Sequence, residues 1–413
     1  MSLVTAMDVD TSIDVRSPEY PVLLRSFYDK IFPFTAYYDW LNGCQPTPTK
    51  LFQNREFSFT IGNDIYIRYQ SFKDADALKA EFLRLCPGKI DIGAVYTTRP
   101  RDKKSVLPSA FQPTEKELVF DIDMTDYDEI RTCCQGGDIC ARCWKFMVVA
   151  MKIVHAALVE DFGFRHIMWV YSGRRGVHCW VSDERARRLT NEGRRAVVGY
   201  LEVIRGGASQ ERKVHLPAQL HPHLARSFGI IKEYFSELIL IEQDVLRRSD
   251  GWAKVLKLFS DEDVRRELRA AWAEDDEQAS LDRWDTLDSV LAKVANQRKN
   301  KKSGNLALTK RDIVFQYTYP RLDDKVSTAM NHLLKSPFCV HPKTGRVCVP
   351  IASDQFDEFD PLAVPTVHQL LAELQANPQQ PGQTSLRPYL KIFQDFVAGI
   401  RRDQRTIKEG AQR

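Results

Sequence analysis

Several absences in this chain of 413 residues narrow the possibilities before any motif is considered. No stretch approaches the roughly 20 consecutive apolar residues that a membrane-spanning helix needs. Residues 1–16 are acidic and polar, which is unlike a secretory signal. No charge of one sign dominates, because 59 basic residues face 55 acidic ones and leave a formal net charge of +4. Any nucleic-acid surface must therefore be a local patch and not a basic coat.

The nine cysteines are not spread as a disulfide framework would require. Four of them form the pattern Cys133-Cys134-x5-Cys140-x2-Cys143, with two glycines between them that permit a tight loop. Four thiolates suit a closed, structural Zn²⁺ site, since no coordination position stays open for chemistry. The adjacent pair departs from plain Cys-x-x-Cys knuckles, so free thiols are the alternative.

Strand and helix patterns alternate along the chain as in a mixed α/β (α+β) fold. The patterns predict a hairpin over 56–69, further strands at 89–96, 117–123, 167–172, 177–182, 312–319 and 340–350, and a helix over 144–162. Between 224 and 296 the spacing is helical, with almost no strand signal. These shifts predict a disordered tail at 1–17, a main α/β domain at 18–223 and 303–360, a helical insertion at 224–302, and C-terminal helices and a tail at 361–413.

Two carboxylates project from one face of a predicted strand. Alternation along this strand turns Phe120 and Ile122 into the core and places Asp121 and Asp123 together on the opposite face. Neighbouring carboxylates repel each other, and a hard divalent cation such as Mg²⁺ or Mn²⁺ would relieve that repulsion. Asp-x-Asp by itself is equally compatible with an exposed strand edge that carries two solvated acids.

A glycine-flanked turn offers positive charge. The chain around it has the pattern strand, turn, strand, with Ser172 and His178 flanking the turn, where they could converge on one ligand. Amides exposed at the glycines, together with Arg174 or Arg175, would form an anion site that suits a triphosphate. A histidine on a strand is, however, more often an ordinary polar residue.

Further charged residues follow downstream. Asp323 lies just beyond a predicted strand and could complete an acidic cluster, and a helix is expected after it, extending to Leu334. Lys335 and His341 could supply charge to phosphates. Taken singly, a solvated lysine or a turn histidine is the ordinary interpretation, so only the combination is informative.

In combination these motifs resemble the archaeo-eukaryotic primases, and specifically the family of eukaryotic DNA primase small (catalytic) subunits. The matching motifs are Val119–Asp123, Ser172–His178, Arg321–Asp323, Asn331–Phe338 and His341–Arg346. The resemblance extends from about residue 20 to residue 359, whereas the helical insertion and the C-terminal residues match only in general character. It implies an archaeo-eukaryotic primase catalytic fold with a small zinc-binding loop and an inserted helical subdomain.

The resemblance also implies roles for individual residues. Asp121, Asp123 and Asp323 would hold two catalytic ions, Mg²⁺ or Mn²⁺, and the four clustered cysteines would hold a structural Zn²⁺. The residues expected to bind the incoming nucleotide are Ser172, Arg174, Arg175, His178, Lys335 and His341, with Arg68, Asp91, Glu56 and Lys89 as further pocket positions.

The function implied by the resemblance is DNA-templated synthesis of short RNA primers, for the initiation of replication and for lagging-strand synthesis. The expected partners are a primase large subunit that completes a heterodimer, the DNA polymerase alpha complex, a single-stranded DNA template with its RNA primer, and ribonucleoside triphosphates. A nuclear location is expected from the resemblance alone, because no nuclear import signal is obvious in the sequence.

Two rival hypotheses stay open. One is a related primase–polymerase of DNA repair or damage tolerance that prefers deoxynucleotides; against it, no ligase, nuclease or helicase segment is expected within 413 residues. The other is a non-enzymatic, zinc-containing nucleic-acid-binding subunit whose acids are incidental. That hypothesis leaves the Ser/Arg/His turn unexplained.

Overall fold

The computed structural model describes residues 19–62, 64–204, 210–275, 277–297, 304–378 and 382–411, so the predicted tail at 1–17 lies outside the described residues. Its strands are β1 (Arg55–Ile61), β2 (Ile65–Gln70), β3 (Lys89–Tyr96), β4 (Pro113–Glu115), β5 (Leu118–Asp123), β6 (Ile167–Tyr171), β7 (Gly176–Val181), β8 (Leu334–Lys335) and β9 (Pro350–Ile351). Its helices are α1 (Tyr20–Lys30), α2 (Phe34–Leu41), α3 (Lys50–Gln53), α4 (Ala75–Leu85), α5 (Ala141–Ala156), α6 (Glu184–Arg187), α7 (Asn191–Leu201), α8 (Pro222–Phe235), α9 (Ser249–Leu256), α10 (Glu262–Trp272), α11 (Ser280–Gln297), α12 (Gly304–Thr318), α13 (Asp324–Thr328), α14 (Val367–Ala376) and α15 (Arg387–Ala411).

The strands form two antiparallel sheets, which confirms the mixed α/β prediction. The first sheet has the order β2-β1-β3-β4, and β8 also pairs with β3. The second sheet has the order β5-β7-β6-β9. Six of the first seven strands lie within two residues of the predicted hairpin and strands, because their aromatic and β-branched residues alternate with polar ones; β4 was not predicted.

The helical insertion is observed between β7 and β8, where α8 to α12 follow one another without a strand among the residues described there. The strand predicted at 312–319 was wrong, since this stretch lies in α12. Ile313, Val314 and Phe315 favour strands by propensity, but all three are buried here, and Phe315 stacks on Phe228 of α8 with ring centroids 5.6 Å apart. A helix that is buried on several sides shows no clear helical period in its sequence. The boundaries assigned to the domains stay predictions.

Two other predicted elements differ in the structure. The helix expected after Asp323 ends at Thr328, and Leu334 and Lys335 instead form β8. Of the strand predicted over 340–350, Pro350 begins β9 and a single bridge joins Val340 to Val347. No helix in the described part of the chain has both the length and the apolar character that a bilayer crossing requires.

A buried ion pair joins the two sheets. Arg55 of β1 donates from Nη1 to Glu117 Oε2 at 2.7 Å and from Nη2 to Oε1 at 3.0 Å, and the two side chains are 0% and 3% exposed. Arg194 of α7 donates to the carbonyl oxygens of Glu117 and Lys116. Because Glu117 immediately precedes β5, this pair fixes where the second sheet begins relative to the first.

Replacing Glu117 by Gln should lower the free energy of unfolding by about 3–5 kcal/mol, since the buried guanidinium of Arg55 would lose its counter-charge with little change of volume. The midpoint of urea unfolding measures this loss. The matched control is Glu184→Gln, which breaks the exposed pair between Arg188 Nη1 and Glu184 Oε1 at 2.8 Å. The control should change stability by no more than about 1 kcal/mol. Equal losses in the two variants would contradict the role given to the buried pair.

Candidate active site and cysteine cluster

The pairing of β5 with β7 sets the positions of the first two acids. Asp121 is opposite His178 and Asp123 is opposite Gly176. A Cβ on Gly176 would lie 2.4 Å from the carbonyl oxygen of Ile122, so only glycine permits this close pairing. As expected, Phe120 and Ile122 are buried, while the two aspartates are partly exposed on the other face.

The third acid lies beside the first. The backbone N–H of Asp323 donates to the carbonyl oxygen of Asp121 at 3.1 Å, and the exposed Asp323 carboxylate caps α13 by accepting from the N–H of Lys325 at 3.0 Å. Burial, followed by the nearby carboxylates of Asp123 and Asp323, raises the pKa of Asp121 to about 7. The three acids therefore interact electrostatically, although they are distant in sequence.

Asp123 is held in place by its neighbours. Its Oδ1 accepts from the N–H of Thr125 at 2.8 Å and from the Thr125 hydroxyl at 2.7 Å. Arg175 Nε lies 2.8 Å from the same carboxylate oxygen and 3.0 Å from the other. These contacts orient the carboxylate and balance part of its charge.

The glycine-flanked turn is closed by its own residues. Ser172 donates its N–H to the carbonyl of Gly176 at 2.9 Å, and its Oγ accepts from the N–H of Gly176 at 3.1 Å. Gly173 has a φ of +87°, and a Cβ at this position would lie 2.6 Å from Cβ of His341. The turn therefore packs directly on the segment that contains His341, and glycine is required there by both conformation and space.

The first sheet supplies the opposite wall. Lys335 of β8 pairs with Asp91 of β3, and its Nζ donates to the carbonyl oxygen of Ser172 at 3.1 Å. Lys89 Nζ lies 3.1 Å from Asp91 Oδ2, and the Tyr66 hydroxyl contacts the same oxygen at 3.2 Å. Lys335 thus bridges the two sheets at the site.

Both site histidines are neutral near pH 7. Burial, followed by the positive charge of Lys335, lowers the pKa of His178 to about 3, and burial with Lys335 and Arg174 lowers the pKa of His341 to about 3. The Nδ1 atom of His178 is buried and has no hydrogen-bond partner among the described residues.

These groups surround a cavity of about 320 Å³ between the sheets. The structure brings most of the predicted site residues to its wall, namely Lys89, Asp91, Asp121, Asp123, Ser172, Arg174, Arg175, His178, Lys335 and His341. Asp323, Arg68 and Glu56 do not line it. Glu56 is fully buried and accepts a hydrogen bond from Arg68 Nε at 3.0 Å, and neither residue of this pair contacts the cavity directly.

Two residues near the site were missed by the sequence prediction. His332 lines the cavity, and burial, followed by Lys116, lowers its pKa. Burial, followed by the charge of Asp123, raises the pKa of Asp126. The spacing of Asp126, three residues after Asp123 in a 3₁₀ turn, was the signal available. His332 lies in a motif that matched the resembling family, yet no pattern distinguished it from a surface histidine.

The four clustered cysteines converge as predicted. All four Sγ atoms lie within 4.8 Å of one another, and the Sγ atoms of Cys140 and Cys143 are 3.9 Å apart. Zn–S bonds of about 2.3 Å in a tetrahedron place sulfur atoms roughly 3.8 Å apart, so this donor set fits Zn²⁺. Arg131 donates to Cys143 Sγ at 3.8 Å, while burial raises the pKa of the Cys143 thiol in the absence of a metal ion. The cysteine cluster could therefore hold a metal ion. Among the described residues, the carboxylates of Asp121, Asp123 and Asp323 do not come as close to one another as these thiols do.

Comparison with known proteins gives consistent results. The family model described as DNA primase small subunit matches residues 120–353 of this chain. The chain is 47% identical to the DNA primase small subunit of Schizosaccharomyces pombe over 86% of this chain and 78% of that protein. It is 37% identical to the protein of that name from Drosophila melanogaster, covering 96% and 95%, and 38% identical to that from Saccharomyces cerevisiae, covering 92% of each.

Replacing Cys143 by Ser should abolish zinc binding and lower the thermal unfolding midpoint, because the remaining three thiolates cannot close a four-ligand site. Metal content per chain, measured by mass spectrometry of the purified protein, tests this directly. Cys86→Ser, at a half-buried cysteine outside the cluster, is the control and should keep its zinc. Zinc retained at one ion per chain in Cys143→Ser would refute the assignment.

Without divalent cations, the ionisation of Asp121 should reduce the stability of the folded state as pH rises from about 4 to about 7. The folded state raises the pKa of Asp121 above its ordinary value, so folding favours the protonated form, and this stabilisation disappears as the carboxyl ionises. Asp121→Asn should therefore raise the free energy of unfolding at pH 8 by roughly 2–4 kcal/mol, and much less at pH 4. Denaturant unfolding at the two pH values measures this, with the exposed Asp324→Asn as control. Identical gains in both variants would contradict the expectation.

Proposed function

The chain belongs to the DNA primase small subunit family, and we propose that it is the catalytic subunit, a DNA-directed RNA polymerase that makes short RNA primers on a DNA template. The observation that carries this proposal is the cavity in which two acids of β5 face a basic, glycine-flanked turn. Nucleotidyl transfer needs negative ligands for cations and positive groups for a triphosphate, side by side.

Asp121, Asp123 and Asp323 would hold two divalent ions, Mg²⁺ or Mn²⁺. When bound, such ions lower the pKa of the attacking hydroxyl and stabilise the charge that develops on the phosphoryl oxygens. The residues fit this role because burial, followed by the charges of Asp123 and Asp323, raises the pKa of Asp121, and the protein itself does not offset this effect. A cation beside Asp121 would favour its ionised form.

The triphosphate would be bound by the turn and by the wall opposite it. Arg174, Arg175 and Lys335 supply positive charge, while neutral His178 and His341 offer ring N–H groups as hydrogen-bond donors. Ser172 closes the turn and presents its backbone to Lys335. This arrangement would hold the triphosphate so that the primer 3′-hydroxyl attacks the α-phosphorus and pyrophosphate leaves.

The remaining predicted positions would shape the nucleotide pocket from the first sheet. Lys89 and Asp91 form an ion pair on the cavity wall, and Glu56 with Arg68 lies directly behind it. Because Glu56 is buried and hydrogen-bonded, it would limit the movement of the part of the first sheet that carries Lys89 and Asp91. Zn²⁺ in the cysteine cluster would stabilise the loop before α5 and take no part in the chemistry.

The partners and location are proposed on the same basis. The family description as a small subunit supports pairing with a primase large subunit in a heterodimer. The DNA polymerase alpha complex, a single-stranded template with its RNA primer, and ribonucleoside triphosphates follow from primer synthesis for replication. We also propose a nuclear location, since the replication that such primers would serve takes place in the nucleus of a eukaryotic cell.

Primer synthesis on single-stranded DNA should occur with ribonucleotides and should fall roughly a thousandfold in Asp121→Ala or Asp123→Ala, because metal-bound stabilisation supplies several kcal/mol. Labelled products separated on a denaturing gel measure the activity. Asp324→Ala, which removes an exposed carboxylate next to Asp323, is the matched control and should keep full activity.

Other outcomes would favour the rival functions. Efficient synthesis from deoxynucleotides in preference to ribonucleotides would favour a primase–polymerase of repair or damage tolerance. DNA binding without any synthesis, unaffected by Asp121→Ala, would favour a non-enzymatic subunit.

A further inference from the structure

A group of basic and aromatic side chains lies at the end of the first sheet, outside the catalytic cavity. We call it the basic–aromatic patch and define it by Tyr69, Arg101, Lys103, Lys104 and Phe111. Tyr69 comes from β2, the two lysines and Arg101 from the 3₁₀ segment Pro100–Ser105, and Phe111 from the loop before β4. None of these residues lines the catalytic cavity.

The patch has excess positive charge. Four cations occur between positions 99 and 104, and Asp102 is the sole acid among them. Asp102 Oδ2 pairs with Arg99 Nε at 2.7 Å, and its other oxygen lies 4.0 Å from Arg101 Nε. In the described part of the chain, no carboxylate lies within ion-pairing distance of Lys103 or Lys104. Since the whole chain has a net charge of only +4, this is a local concentration of uncompensated charge.

Aromatic rings lie directly beneath this charge. Lys103 Nζ is 3.6 Å from the centroid of the Tyr69 ring and 5.6 Å from that of Phe111. Phe111 is stacked on Tyr96 with centroids 4.1 Å apart and an interplanar angle of 7°. Tyr69 has a φ of +61° next to a bulge in the β1–β2 pairing, which interrupts the regular alternation of side chains along β2.

A continuous set of contacts connects the patch to the cavity. Glu56 accepts from the N–H of Tyr69 at 3.3 Å and from the hydroxyl of Tyr96 at 3.2 Å. Glu56 also accepts a hydrogen bond from Arg68 of β2. Tyr66 of the same strand donates its hydroxyl to Asp91 on the cavity wall. Along β3, the distance from Asp91 to Tyr96 is roughly 17 Å at the usual rise per residue. The patch therefore lies on the same sheet as the cavity wall, beyond the residues that line the cavity.

We propose that the basic–aromatic patch binds the unpaired DNA template strand next to the active site. Lys103, Lys104 and Arg101 would contact backbone phosphates, and the half-buried ring of Tyr69 would offer a surface to a base, with the buried ring of Phe111 packed edge-on against it. Stacking of this kind needs bases free of a duplex, and it tolerates any sequence, as a template-copying enzyme requires. This inference rests on the proposed function, because it assigns the template of that reaction to a surface.

The test is the salt dependence of single-stranded DNA binding by the full chain. Fluorescence anisotropy with a labelled oligodeoxynucleotide, over a series of KCl concentrations, gives the slope of log affinity against log salt. The variant with Lys103→Gln and Lys104→Gln should bind more weakly at low salt. Its slope should be smaller in magnitude by about 1.4, since each lost phosphate contact on a single strand removes about 0.7.

The matched control removes the same charge elsewhere. Lys232→Gln with Lys391→Gln takes two exposed lysines from α8 and α15, and Lys232 also lies over a ring, 5.6 Å from the centroid of Phe228. The control should keep the wild-type slope and affinity. Equal slopes in the two double variants would overturn the inference. Unchanged DNA binding together with loss of pairing to the large subunit would overturn it as well, because the patch would then bind protein.

A template titration separates this inference from the proposed function. The Lys103→Gln, Lys104→Gln variant should need a several-fold higher template concentration for half-maximal primer synthesis than the control variant. If the wild-type chain makes no primers, the proposed function fails. If the wild type makes primers and both double variants need the same template concentration, only the assignment of the patch fails.

Discussion

Repulsion between carboxylates is the constraint that the rest of the site has to accommodate. Burial, followed by the nearby carboxylates of Asp123 and Asp323, raises the pKa of Asp121. The backbone holds them despite this, through the β5–β7 pairing and through the N–H of Asp323 on the carbonyl of Asp121. Arg175 pairs with the carboxylate of Asp123 and Thr125 donates to it, so part of the negative charge is balanced within the protein.

The two sheets divide the chemistry between them. The second sheet carries Asp121, Asp123 and His178, whereas the first carries Asp91 and Lys335, so neither sheet alone has a complete set of groups. Their relative position depends on a few buried contacts, of which the Arg55–Glu117 pair and the Lys335–Ser172 hydrogen bond are the most direct. A small displacement of one sheet would therefore change the distance between the basic groups and the acids of the candidate site.

Much of this arrangement could be predicted from the sequence, because the relevant signals are local. Alternation in β5 gave the orientation of the two aspartates, and the cysteine spacing gave the cluster. The resemblance to the primase family, which the comparisons confirm, connected motifs that are far apart in the chain. Tertiary effects could not be predicted: a histidine on a strand is more often an ordinary polar residue, but His178 is buried because β7 is covered on both sides. Likewise α12 has strand-forming residues that only packing against α8 makes helical.

The order of the chain has a consequence for biosynthesis. Lys335 reaches a turn that precedes it by 163 residues, and the Ser336 hydroxyl bonds to a tyrosine 299 residues earlier. Contacts of such long range form slowly, since a large loop has to close before they can stabilise anything. A nascent polypeptide emerging from the ribosome therefore exposes β5 with its aspartates long before β8 exists to face them. The candidate site is completed only after the helical insertion has been translated, so a chain that ends within the insertion lacks Asp323, Lys335 and His341.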